Sequence, residues 1–180
     1  VWSGFPKGRI LPYVGAQFCG AFLASAVLYC VFSDALREYE RANHIVRGQA
    51  GSEASAMVFG EFFPNPGGLP LTPEKRLRMS TGAAFGTEAV ATAVLLLVIC
   101  CCTDERNQGR PQTLAAATIG LTVTLLISSV GPLTMACFNP ARDLGPRVFS
   151  VLAGWGAVPF QANGAGWLTV YIVAPILGGL

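Results

Sequence analysis

Uncharged and polar stretches alternate along this chain with a long period. After a short polar lead, Val1 to Arg9, residues 10–33, 111–130 and 166–180 hold no Asp, Glu, Lys or Arg, and 80–103 holds only Glu88. Crossing a bilayer takes roughly 20 apolar residues in a helix. Spanning helices are therefore predicted over 10–33, 80–103 and 111–130, and the start of a last one over 166–180. Residues 34–79 form a polar connection, too long for a turn and too rich in Gly and Pro for one helix, that is expected to fold over one membrane face. Residues 104–110 read as a charged turn. In the first span Ala16, Gly20 and Ala24 recur every fourth residue, a small-residue stripe that another helix backbone can approach.

The remaining apolar segment, 131–154, is broken by Asn139-Pro140-Ala141-Arg142-Asp143-Leu144-Gly145-Pro146-Arg147. Asn139 suits an N-cap, and Pro140 suits the first helical position, where its missing N–H would have no intrahelical partner. Val148, Phe149, Val151 and Leu152 carry the helix about three turns before Gly154 and Gly156 give stop signals. A helix this short cannot cross a bilayer. Its free N–H groups must be buried in protein or turned to a water-filled cavity. Gly131-Pro132 is expected to end the third span, so that Leu133 to Phe138 enter the membrane extended. The helix start carries about half a positive charge, and Arg142 adds a full one. Such a mouth repels cations and offers donors to neutral, oxygen-bearing solutes. Standing alone, Asn-Pro would equally cap an ordinary soluble helix.

Here the motif does not stand alone. The string, its apolar setting and the preceding Gly131-Pro132-Leu133-Thr134 resemble the second pore loop of the aquaporin superfamily, and Asp143 after Arg142 resembles its glycerol-conducting branch. His44-Ile45-Val46-Arg47-Gly48 and Pro64-Asn65-Pro66 are similar to the third loop of bacterial glycerol facilitators, which lines the outer vestibule. The resemblance runs through essentially all 180 residues. It implies an all-α membrane protein, a right-handed aquaporin-like helical bundle built as an inverted repeat. Here the bundle is partial: one domain over 1–180, with about four transmembrane helices, the last truncated, and one re-entrant half-helix over 131–154. A partner Asn-Pro-Ala motif and a fourth filter residue are expected upstream of Val1.

The resemblance also assigns expectations to single residues. Three filter positions fall on Ile127, Ala136 and Arg142. Asn139, Pro140 and Ala141 form the pore motif, with the Asn139 amide donating to a solute oxygen, and the carbonyls of Met135, Ala136 and Cys137 accept the solute's hydroxyl protons. Ile127 stands where glycerol facilitators often have Gly, and Ala136 where they have an aromatic. That departure is similar to plant nodulin-like channels, so urea and neutral metalloid acids join glycerol and water as candidate solutes. The implied whole is a passive channel in the cytoplasmic or plasma membrane, a homotetramer with one pore per subunit. A secondary active transporter and a non-conducting membrane scaffold are the rival readings.

Composition narrows the rest. With 52% hydrophobic and 12% charged residues, the chain reads as membrane helices. A net charge of +2 with no basic-aromatic patch gives nucleic acid no footing. Cys19, Cys30, Cys100, Cys101, Cys102 and Cys137 lack metal-ligand spacing and read as small core residues, so no metal and no cofactor is expected. The carboxylates are scattered and no nucleophile is paired with a base, which leaves an enzyme without support. Glu88, an acid inside a span, has two possible roles: proton or cation transport, or bracing the backbone N–H groups of the loop before Asn139. The resemblance favours bracing. Gln17 is read as an interhelical hydrogen-bonding group ahead of a solute contact, Thr118, Thr122 and Ser129 as interhelical hydroxyls ahead of mild pore lining, and His44 as structural or solvated ahead of a pH-sensing role. Lys7, Arg9, Arg106 and Arg110 are expected on one shared side, which the resemblance, more than charge counting, makes the cytoplasmic one.

Overall fold

The computed structural model describes residues 5–111 and 113–180. The first residues of the polar lead, 1–4, and Gln112 of the expected third span lie outside the described residues. A single 3-10 turn, Lys7–Arg9, feeds α1, Ile10–Ala42. This helix runs past the expected end at Ser33, because Asp34 to Ala42 contains no Gly, Pro or β-branched residue and Asp34 pairs with Arg37 one turn later. Its 33 residues extend about 50 Å, beyond the roughly 30 Å of a hydrocarbon core. It is therefore longer than a hydrocarbon core requires, and the left-handed φ of 53° at His44 closes it.

The connection that follows packs inward. Its two short helices are α2, Glu53–Ala56, and α3, Pro73–Arg76, the latter capped by Thr72, whose Oγ1 accepts the Lys75 N–H at 3.2 Å. Phe59, Phe62 and Leu71 are buried with Leu36 of α1 around Trp155. The Trp155 ring N–H donates to Ser55 Oγ at 2.9 Å, and the Arg47 guanidinium lies 4.0 Å above the ring. A segment expected to lie over the membrane face thus supplies much of the aromatic core.

Ser80 caps α4, Thr81–Thr103, accepting the Ala83 N–H at 3.1 Å. α4 packs on α5, Ala115–Thr134. α5 does not stop at Gly131-Pro132 as expected. Pro132 removes one donor, but the Met135 N–H still reaches the Gly131 carbonyl at 2.9 Å, and the helix ends where Met135 turns left-handed at φ 68°. The hydroxyls of Thr122 and Ser129 donate to the carbonyls of Thr118 and Leu125, at 2.9 and 2.8 Å. They satisfy their own helix and not a neighbouring one, which corrects the interhelical reading.

α6, Pro140–Ser150, continues through one wide turn, Val151–Trp155, in which Gly154 takes a φ of 110°. α7, Val158–Gln161, and the apolar α8, Gly166–Gly178, complete the chain, and α8 packs on α4. α6 lies along α1. At Gly145 the two backbones nearly touch: a Cβ there would stand 2.9 Å from the Phe18 carbonyl and the Ala21 methyl. On α1 the close approach of Gly145 therefore falls at Phe18, Ala21 and Phe22, while nothing lies within 4 Å of a Cβ at Gly20 of the expected stripe. The helices Lys7–Ala42, Thr81–Thr103 and Ala115–Thr134 are each long and apolar enough to cross a membrane, with mean hydropathy of 1.8, 2.2 and 1.7.

Candidate functional site

Between α5 and α6 the backbone makes an irregular passage. Met135, Ala136 and Phe138 take left-handed φ values of 68°, 59° and 54°, a conformation that costs non-glycine residues energy and persists only where its surroundings enforce it. Glu88 of α4 meets this passage. Its Oε1 accepts the Cys137 N–H at 3.0 Å and the Thr134 hydroxyl, and its Oε2 accepts the Phe138 N–H at 2.9 Å. From the other side the Tyr171 hydroxyl of α8 donates to the Thr134 carbonyl at 3.1 Å.

The passage delivers the chain to Asn139, whose Oδ1 accepts the N–H groups of Ala141 and Arg142 at 3.0 and 3.4 Å. Pro140 occupies the first helical position. Capping through Oδ1 leaves the Nδ2 hydrogens out of the cap, on a residue exposed to the adjoining hollow. One turn on, Asp143 and Arg147 form a buried ion pair with contacts of 2.7 and 2.8 Å. The same pair holds the connection: Asp143 Oδ1 accepts the Glu61 N–H at 2.7 Å, and Arg147 donates to the carbonyls of Glu61 and Pro159. Glu61, fixed at both ends of its peptide unit, turns its carboxylate to the guanidinium of Arg142. Burial pushes the Glu61 carboxyl up to about 8, while Arg142 pulls it down.

Two hollows, of about 480 and 440 Å³, meet at Val58, Glu61 and Arg142. Asn139 and Ala141 line the first, together with Gln17; Ile127 and Met135 line the second. Gln17 thus faces a hollow, where an interhelical contact was expected. Ala136 and Cys137 are sealed in protein as whole residues, at 2% and 1% exposure, and neither lines a hollow, so of the three carbonyls expected to face a solute only that of Met135 belongs to a residue on one. His44 lies exposed at the end of α1. Among the described residues no three His, Cys, Asp or Glu side chains gather as a metal site would need.

Glu61, Arg147 and Tyr171 are the residues of this region that the sequence reading passed over. Glu61 carries a usable signal: a lone carboxylate inside Phe59-Gly60-Glu61-Phe62-Phe63, the same pattern of an acid in an apolar run that singles out Glu88.

Apolar helices long enough to span, set around a half-helix whose capped start opens beside an arginine onto a hollow, define a helical membrane protein. The model of the major intrinsic protein family matches residues 1–180, and the chain belongs to that family. It is 42% identical over 181 residues to a glycerol uptake facilitator protein of Pseudomonas aeruginosa, a match covering 99% of this chain and 60% of the relative. A propanediol uptake facilitator of Salmonella typhimurium is 37% identical over 179 residues, covering 99% of this chain and 63% of that one. Among solved structures, the aquaglyceroporin from Plasmodium falciparum superposes with a TM-score of 0.73 at 26% identity, over 98% of this chain and 62% of that chain. The chain therefore spans about 60% of the length of the curated relatives it matches.

Proposed function

We propose that the full-length protein is a passive channel for small neutral solutes, foremost glycerol and related polyols, with urea and water also passing. The observation that carries this reading is the placement of Asn139 and Arg142 on one hollow, at the capped start of a half-helix. Donors fixed there by the fold can replace part of a solute's hydration shell without rearranging. Ile127 shares the second hollow with Arg142 and forms the apolar wall against which a polyol's carbon face slides. Met135, which lines the second hollow, offers its carbonyl there. Glu88 acts as the brace that holds this passage in place. The names of the relatives, facilitators of glycerol and propanediol uptake, agree with this solute class.

With isoleucine at 127 and alanine at 136 the sequence carries no aromatic at these positions, which favours a second group of solutes, urea and neutral metalloid acids. No covalent chemistry is assigned. Four subunits in an inner or plasma membrane, each with its own pore, complete the proposal. The test is an osmotic jump on vesicles carrying the full-length protein. Downhill glycerol flux with no dependence on an ion gradient supports the channel. Uptake against a concentration difference would make it a transporter, absence of any flux a scaffold, and water flux alone would overturn the assignment to polyols.

A further inference from the structure

A proline inside a helix takes the usual donor from the carbonyl one turn earlier. In α5 that proline is Pro132 and the carbonyl belongs to Ser128, and both residues line the second hollow. The Ser128 hydroxyl is spent within its own helix, donating to the Thr124 carbonyl at 2.8 Å. Ser128 therefore offers the hollow an acceptor and no donor.

The donor comes from the connection. Asn65 lines the same hollow, half-buried, and its amide is fixed at both ends. Its Oδ1 accepts the Gly67 N–H at 2.8 Å, and its Nδ2 donates to the Gly131 carbonyl at 2.8 Å. Its backbone N–H donates to the Leu133 carbonyl at 2.9 Å. An amide nitrogen carries two hydrogens, and the second on Nδ2 has no partner among the described residues. Resting on the channel reading above, we infer that Asn65 is a specificity-determining residue: its free Nδ2 hydrogen and the Ser128 carbonyl form a subsite for one solute hydroxyl in the second hollow, beside Arg142.

Helix geometry makes the two groups compatible. Ser128 and Gly131 stand three residues apart on α5, about 4.5 Å along its axis, and Nδ2 of Asn65 is bonded to the second of them. One oxygen that donates to one group and accepts from another bridges about 5–6 Å. A hydroxyl does both at a single atom. Because the three bonds of Asn65 hold its amide in place before any solute arrives, no side chain has to be ordered on binding. A water molecule meeting the same wall can replace a lost partner with another water. A polyol stripped of its hydration for the passage cannot, so the subsite favours polyols.

The test uses vesicles carrying the full-length protein, with glycerol flux measured against glycerol concentration and water flux on the same vesicles. N65A keeps the backbone N–H that fastens the connection to Leu133. In N65A the glycerol concentration at half-maximal flux should rise about two- to tenfold, the effect of losing one hydrogen bond, with maximal flux and water flux unchanged. N65D has the same shape and keeps the acceptor for Gly67 but supplies no donor, so it should show the same rise. An unchanged half-saturation in either variant overturns the inference. That includes the case in which glycerol and water flux fall together, which would make Asn65 a fastening of the connection only. Glycerol flux that shows no saturation in the unmodified protein also overturns it, without any variant having to fold. If the unmodified protein passes no glycerol, it is the channel reading itself that fails.

Discussion

Removing the Glu88 carboxylate should unfasten the passage before Asn139. Glu88 is 0% exposed and receives the N–H groups of Cys137 and Phe138 and the hydroxyl of Thr134. In E88A the hydroxyl can turn back to the Val130 carbonyl, 3.5 Å away, but the two amides have no such alternative. A buried donor left unpaired costs about 1–3 kcal/mol, so the pair costs about 2–6 kcal/mol, before the cavity left by the side chain. The left-handed residues Met135, Ala136 and Phe138 each hold about 1–3 kcal/mol of strain that the brace no longer opposes. Against a typical stability of about 5–15 kcal/mol, E88A should fail to give a monodisperse peak on size exclusion in detergent. In E88Q the amide oxygen takes the place of Oε1 and the NH₂ group faces the Phe138 N–H, so one donor is orphaned. E88Q should assemble with a lowered Tm, read by intrinsic fluorescence, at a cost of about 1–3 kcal/mol. An E88A protein with unchanged Tm would refute the brace. E88Q with normal assembly and altered proton coupling would make Glu88 a transport acid instead.

Asp143→Asn leaves Arg147 buried with one acceptor where the carboxylate gave two, and should cost about 3–5 kcal/mol in chemical denaturation of the full-length protein; a loss under about 1 kcal/mol would mean that the Asp143–Arg147 pair does not hold the Glu61 segment. Gly145→Val drives a side chain into the Phe18 carbonyl and Ala21, and should separate α1 from α6 at a cost of at least about 1–3 kcal/mol; an unchanged Tm would refute the close approach. A Glu61 carboxyl raised from 4.5 to about 8 keeps its proton in the folded protein where the unfolded chain has lost it. That contribution to stability is whole below pH 4.5 and lost as pH rises through about 8. The Tm should therefore fall between pH 6 and 9, and E61Q should remove that part of the slope; identical slopes in both proteins would show that Glu61 does not titrate there.

Local chemistry made the half-helix legible. Asn139 and Pro140 fix where it starts whatever lies around them, and an uncharged run of 20 residues such as Ala115–Thr134 has few alternatives to a spanning helix. Helix ends were less legible where a signal competes with propensity: α1 continues past Ser33 because Asp34 to Ala42 favours helix regardless of its charges, and α5 absorbs Pro132 in its last turn, where the Met135 N–H still finds the Gly131 carbonyl. The inward packing of the connection was not legible for a different reason. Its polar composition describes its average residue, whereas its position is decided by a few large side chains, Phe59, Phe62 and Phe63, that bury themselves and draw the chain between them inward. Glu61 is carried along with them. A carboxylate enters the interior only because Asp143 and Arg147, some 80 residues away in sequence, hold its backbone, and Arg142 meets its charge. No window of sequence contains both sides of that arrangement, so Arg142 was visible from the motif while its counter-ion was not.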